Sequence, residues 1–190
     1  MSHNFFYWLF SYNRPLRKRC FSSEGILHLD KVIVKDPKFI SYPTENEIQF
    51  EKLAFSSSKK EIIKSKGRHD CQSFEPIGSY RIEVIGYYEK MMGLPIRVIF
   101  FLNNNKFFFG EYCFSAAAND LIPEIRQLFC KNYLAGESAT EESFYIENED
   151  HVRILFHFNG ISLSVKYYNP TCSETDHAVL TDLFTWKCIK

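Results

Sequence analysis

A chain of 190 residues with 45% apolar and 24% charged residues has the composition of a globular protein, one domain or two small ones sharing an interface. Lysine plus arginine equals aspartate plus glutamate at 23 each, so the summed field gives no steering toward nucleic acid or an anionic membrane. Six cysteines, Cys20, Cys71, Cys113, Cys130, Cys172 and Cys188, show no CxxC pair and no regular spacing, which argues against a disulfide framework or a zinc site and for free thiols in a reducing, cytoplasmic setting.

Residues 1–24 form an aromatic and basic segment. Its apolar run, Phe5 to Phe10, comes before the basic cluster Arg14 to Arg19, the reverse of a secretory signal, and it is too short to span a bilayer. Phe5, Phe6, Trp8 and Phe10 are costly to leave in water. Three readings stay open for them: a plug on the protein's own core, a membrane-surface anchor, or a peptide that inserts into a partner.

The next stretch opens with a strand candidate, ILHLDKVIV, from Ile26. A polar linker carrying Pro37, Pro43 and Glu45 to Glu47 follows, and then the loosely alternating run IQFEKLAF. In SSSKKEIIKSKGRHD, Ser58 and Glu61 make a capping box, Ile62 and Ile63 supply a buried stripe, and Gly67 ends the helix. Two to three turns of helix are not stable alone and must pack on a sheet. From Tyr80 to Phe114 the runs YRIEVIGYYEK, IRVIFFL and FFFGEYCF, separated by MMGLP and NNNK, read as an antiparallel meander.

A capped helix, Gly67-Arg68-His69-Asp70 and then aromatic strands resemble the SmpA/OmlA (BamE) lipoprotein domain and the related repeats of the β-lactamase inhibitory protein. That pattern is roughly Ser-x-x-Glu-Val-x-x-x-x-Gly-x-Pro-Asp followed by strands. Ser58, Glu61, Ile62, Gly67 and Asp70 fall on it, and His69 stands where Pro is usual. The resemblance covers residues 55–114. It implies an α+β fold whose sheet face holds other proteins, and no catalytic residue.

The longest helix is expected in AAANDLIPEIRQLFCKNYLAG, with Leu121, Ile122, Ile125, Leu128, Phe129 and Tyr133 on one face, Asn119 or Asp120 as cap, Pro123 in the first turn and Gly136 at the end. FYIENED, HVRILFHF and ISLSVKYY are further strands, and Asn159-Gly160 is the strongest hairpin signal in the chain. The tail DHAVLTDLFTWK is apolar enough to pack back. The expected fold is α+β: an antiparallel sheet with helices on one face, residues 25–170 forming a single domain with room for two diverged units at 48–114 and 117–168, and 171–190 packing on it.

No motif names a reaction. There is no glycine-rich phosphate loop and no GxSxG, and His151 and His157 lie about 20 Å apart along one strand, too far to share a metal. A nucleophile pair of Cys71 or Cys113 with His69 or His157 would need a tertiary contact. The strand KFFFGEYCF lacks the basic-Gly-aromatic order of an RNA-stacking strand, and Glu111 opposes phosphate. The expected function is therefore non-enzymatic: a protein-binding or assembly module without cofactor or metal, using Tyr80, Tyr87, Tyr88, Phe108 and Tyr112 as contact residues. The alternative is a small enzyme or ligand binder with a pocket between sheet and helices.

Overall fold

In the computed structural model the described residues are 35–77, 80–115, 120–135 and 138–170. The aromatic run with Phe5, Phe6, Trp8 and Phe10, the strand candidate ILHLDKVIV and the apolar C-terminal tail lie outside them. The elements in order are β1 (Ile40–Pro43), α1 (Lys59–Lys66), β2 (Cys71–Ile77), β3 (Tyr80–Met91), β4 (Leu94–Asn103), β5 (Lys106–Phe114), α2 (Ile122–Tyr133), β6 (Ser143–Glu147), β7 (Arg153–Phe158) and β8 (Leu163–Tyr168). The strands make one sheet in the order β1-β6-β7-β8-β5-β4-β3-β2. Two meanders, β2–β5 and β6–β8, join where β8 pairs with β5.

The fold is mostly sheet, with two helices among the described residues, and the sheet is mixed. Every neighbouring pair is antiparallel except β1 and β6, which run parallel. This corrects the expectation of a purely antiparallel sheet. Its cause is that β1 reaches β6 through the whole intervening domain, the long connection that a parallel pair requires. β1 sits inside the stretch read as a polar linker, because a four-residue, largely exposed edge strand ending in proline has no alternation to reveal it. Conversely, IQFEKLAF does not run as a strand. It folds back at Glu51-Lys52, where Leu53 N–H donates to the Phe50 carbonyl at 3.0 Å.

Turns follow from backbone chemistry. Met92-Gly93 and Asn104-Asn105 have positive φ at both positions (53° and 81°, 48° and 65°), the geometry that matches strand twist in two-residue hairpins. Asn159-Gly160 is also a hairpin, but with four loop residues, since Phe158 pairs with Leu163. The Asn159 side-chain oxygen takes the backbone N–H groups of Ile161 and Ser162 at 3.0 and 2.8 Å, and the Asn159 N–H donates to the Ser162 carbonyl at 3.3 Å, so side chain and backbone close the turn together. α1 has the expected capping box between Ser58 and Glu61. α2 is capped by Leu121 without a side-chain hydrogen bond, not by Asp120; Pro123 in the first turn removes one of the N–H groups a cap would serve.

The buried side chains form two clusters. The first joins Ile62 of α1 and Ile122, Ile125 and Phe129 of α2 to Ile85, Tyr87, Phe100, Phe107, Tyr112, Phe144, Phe156 and Tyr167 of the sheet. The second holds Ile82, Val84, Ile99, Phe101, Phe108, Phe109, Tyr145, Leu155 and Tyr168. Strands buried on both faces read as nearly continuous apolar runs, which explains IRVIFFL and FFFGEYCF. Gly110 is required in β5: a Cβ there would lie 2.5 Å from the ring of Phe50, and that ring packs against Phe100, Tyr112 and Tyr167 at 4.8–5.0 Å between centroids.

Candidate functional site

The clearest recess with chemistry is a cleft of about 670 Å³, lined by Glu51 and Lys52 of the tight turn, Ser65 and Lys66 of α1, Leu128, Phe129 and Tyr133 of α2, and Met91, Tyr112 and Tyr167 of the sheet. Glu51 is placed there by backbone strain. Glu51 and Lys52 have φ of 56° and 60°, a left-handed pair that glycine or asparagine would occupy at lower cost. The Tyr112 hydroxyl donates to Glu51 Oε1 at 2.5 Å. Lys66 pairs with Glu51 Oε2 and with Glu89 Oε1 at 2.7 Å, and its ammonium stands 6.0 Å above the Tyr87 ring centroid.

Electrostatics here favour the ion pairs over proton transfer. Burial works to lower the pKa of Lys66, but its hydrogen bonds and charge contacts with Glu51 and Glu89 win, and it is held above the usual lysine value. Tyr112 is pushed upward by burial and then by Glu51, Tyr87 by burial and then by Asp70, and Tyr133 and Tyr167 by burial. All four phenols therefore stay protonated at neutral pH. They offer hydrogen bonds and apolar ring edges, and no phenolate for catalysis.

A second recess of about 700 Å³ lies between β1, β6 and the end of α2, lined by Ser41, Thr44, Glu45, Asn46, Tyr133, Glu147 and His151 among others. Glu147 is already occupied: it pairs with Lys35, with Arg153 at 3.1 Å and with His151 at 3.2 Å. Burial raises its pKa, but the bonds from Lys35 and Arg153 prevail and hold it below the usual carboxylate value. No group of three or more His, Cys, Asp or Glu among the described residues is placed to hold a metal ion.

The second cluster's face also carries polar and ionisable groups. Glu111 and Lys166 sit opposite each other on β5 and β8, almost fully buried, with Oε1 and Nζ 3.7 Å apart. Burial raises Glu111 above the usual carboxylate value, and its Oε2 has no hydrogen-bond partner. Burial and the neighbouring Glu111 charge push the Cys113 thiol well up, the opposite of an activated nucleophile. Cys113 and His157 are separated by Ser164 of β8, about 9–10 Å at the spacing of strands, so they form no nucleophile pair. His157 instead meets Ser143 across β6 and β7, with Nδ1 and Oγ 2.9 Å apart. That serine oxygen also takes the Phe158 N–H at 3.3 Å, as a satisfied cross-strand contact does. His69 is lowered by burial, and its Nε2 lies 3.2 Å from Gln72.

The five contact residues read from the sequence do not share one surface. Tyr87 and Tyr112 are buried in the first cluster, with Tyr112 reaching the cleft and Tyr87 bonded through its hydroxyl to the Gly67 carbonyl at 3.2 Å. Phe108 is buried in the second cluster. Tyr88 is 44% exposed, and Tyr80 opens β3 with its side chain outside the described set. Glu51, Lys66, Tyr133 and Tyr167 were missed, although EK at the middle of IQFEKLAF, breaking an apolar run without glycine, was the available signal. Among the described residues no helix is long and apolar enough to cross a membrane. Comparison with protein-family models, with curated proteins and with solved structures found no match.

Proposed function

We propose that the protein is a non-catalytic binding module, with α1 and α2 covering one face of the sheet, and that it takes a segment of a protein partner in the cleft between those helices. The observation that carries this reading is the turn at Glu51-Lys52. Two non-glycine residues in the left-handed region cost about 1–2 kcal/mol each, and such strain collects where a side chain must be held for binding. Here it holds a carboxylate against Tyr112 and Lys66. The remaining lining, Met91, Leu128 and Phe129 with the tyrosine edges, suits an aliphatic or aromatic side chain flanked by N–H donors.

The resemblance of residues 55–114 to domains that hold other proteins supports the same class, with Tyr112 common to the sheet and to the cleft. The upward shift of the Cys113 thiol and the closed Ser143–His157 contact favour binding over catalysis. Free thiols at Cys71, Cys113 and Cys130 support a reducing, cytoplasmic setting. A cleft of about 670 Å³ also has the size of a small-molecule pocket, which favours a ligand binder as the second reading.

Selection of a displayed peptide library on the full chain tests the proposal, followed by titration of the selected peptides against Ser65→Trp, which fills the cleft mouth from an exposed helix position. Selected peptides should pair apolar with donor-bearing side chains and lose at least tenfold in affinity on Ser65→Trp. Peptides indifferent to Ser65→Trp would sink the reading. Small molecules that raise the Tm of the wild type and not of Ser65→Trp, with no peptide selected, would favour the second.

A further inference from the structure

We propose that the face of the sheet carrying the second cluster is a docking surface for the chain's own first 34 residues. Ile82, Val84, Ile99, Phe101, Phe109, Tyr145 and Leu155 on that face are 0% exposed, so the face is covered. The second cluster includes no residue of α1 or α2, and among the described residues the hydrophobic side chains packed against it are Phe39 and Cys113. Cys113 belongs to β5 itself. One phenylalanine cannot cover a face eight strands wide, about 34 Å at the usual strand spacing.

The chain reaches this face where the described residues begin. Lys35 pairs with Glu147 and donates to Ser41 Oγ at 3.2 Å. The Asp36 N–H donates to the Tyr145 hydroxyl at 2.9 Å. The Phe39 ring lies 5.9 Å from the Tyr145 ring and 5.7 Å from the His157 ring. Ser41 pairs with Tyr145 across β1 and β6, and side chains two apart on a strand share a face, so each contact is made to the side of the sheet that carries Tyr145. Lys35, the first described residue, therefore adjoins this face. Thirty-four residues span about 50 Å even as helix, enough to cross it.

The composition of that segment fits the surface. Phe5, Phe6, Trp8, Leu9 and Phe10 with Ile26, Leu27, Leu29, Val32, Ile33 and Val34 supply the apolar area, and burial of such side chains is what favours covering an apolar face. Residues 171–190 are the competing occupant, but they follow β8, a central strand, and cross-linking separates the two segments.

The test uses the full chain with Trp8→benzoylphenylalanine, irradiated at low protein concentration and mapped by mass spectrometry. Cross-links within one molecule to peptides from β3, β4, β5 or β7 are expected. Cross-links to α1 or α2, or to a second molecule, would overturn the proposal. A second measurement follows thiol labelling residue by residue in Phe6→Asp/Phe10→Asp. Cys71 and Cys113, on the second face, should label at least tenfold faster than in the wild type while Cys130, in the first cluster, keeps its rate. Unchanged rates at Cys71 and Cys113, or an equal rise at all three cysteines, would refute it, as would cross-links from residues 171–190 occupying the same strands.

Discussion

Two of the glutamate–lysine pairs, Glu51–Lys66 beside the first cluster and Glu111–Lys166 on the second cluster's face, differ in what surrounds them. Glu51–Lys66 lies in a cleft, half-buried, with Tyr112 and Glu89 as further partners. Glu111–Lys166 lies across two central strands, with side chains 3% and 2% exposed, and one carboxylate oxygen has no partner. Partial exposure and the bonds to two carboxylates let the first pair keep both charges, which is why Lys66 is held upward by Glu51 and Glu89. At the second, desolvation outweighs the Lys166 charge, the Cys113 hydrogen bond and the Arg97 charge, and Glu111 is pushed upward. The same two side chains thus form a well-partnered contact at the cleft and a costly internal polar contact at the sheet centre.

Breaking the buried pair should have the largest effect. Lys166→Met leaves a lone carboxylate in the sheet and should cost about 3–5 kcal/mol, a fall in Tm on the order of 10 °C for a chain of this size. The double variant Glu111→Leu/Lys166→Met should recover most of that loss, since two apolar groups need no desolvated charge. The pH dependence has a fixed sign. Glu111 has a folded pKa above the unfolded value, so its folded state is favoured at and below the unfolded pKa of about 4.5, and that advantage is lost as pH rises through the folded pKa. Urea unfolding should therefore find the Lys166→Met deficit shrinking as pH falls from 7 toward 4.5. A deficit that grew with acid would mean that the pair is not what Lys166 stabilises.

The close packing beneath the cleft comes next. Gly110→Ala puts a methyl group 2.5 Å from the Phe50 ring, and Phe50 is hemmed in by four other rings. Overpacking of this kind costs about 1–3 kcal/mol. Phe50→Leu in the same chain should make the two changes less than additive, because the smaller side chain vacates the clash. Additive losses would show that Gly110 is needed for a reason other than Phe50.

Glu51→Gln is the matching break in the cleft pair and should cost only about 1 kcal/mol, since Lys66 keeps Glu89 and the amide can still accept from Tyr112. Lys66 has a folded pKa above its usual 10.5, so its contribution is complete below pH 10.5 and is lost as pH rises through the folded value. The gap between wild type and Glu51→Gln in chemical denaturation should close at strongly alkaline pH. A gap that persisted there would assign the loss to packing, not to charge.

How far the sequence exposed all this depended on which interactions were local. The capping box at Ser58 and Glu61, the meander from Tyr80 and the hairpin at Asn159-Gly160 follow from neighbours within a few residues, and each is present. β1 depends on β6, a hundred residues away, and its four residues carry no pattern of their own. Glu111 inside FFFGEYCF was legible as an oddity in an apolar strand, but its partner Lys166 arrives only through the β5–β8 pairing. The cleft was hidden for the same reason: its tyrosines come from α2, β5 and β8, and Glu51 points there only because an apolar run turns back on itself. The five tyrosine and phenylalanine contacts were chosen for residue type, and type does not say which side of a sheet buried on both faces a ring occupies.

The smallest effect is the most direct probe of strain at the cleft. Lys52 has φ of 60° and an exposed side chain, so Lys52→Gly removes the left-handed penalty without touching Glu51, Tyr112 or Lys66. Glycine also loosens the unfolded chain, which offsets part of the gain. The balance of about 1–2 kcal/mol relieved against roughly 0.5–1 kcal/mol of added entropy cost predicts a net stabilisation of about 0.5–1 kcal/mol. If the strain fixes Glu51 for binding, the same variant should bind selected peptides more weakly while melting higher, a divergence that unfolding and titration on one sample can measure. Higher stability with unchanged affinity would separate the turn from recognition and leave the cleft's tyrosines to carry it.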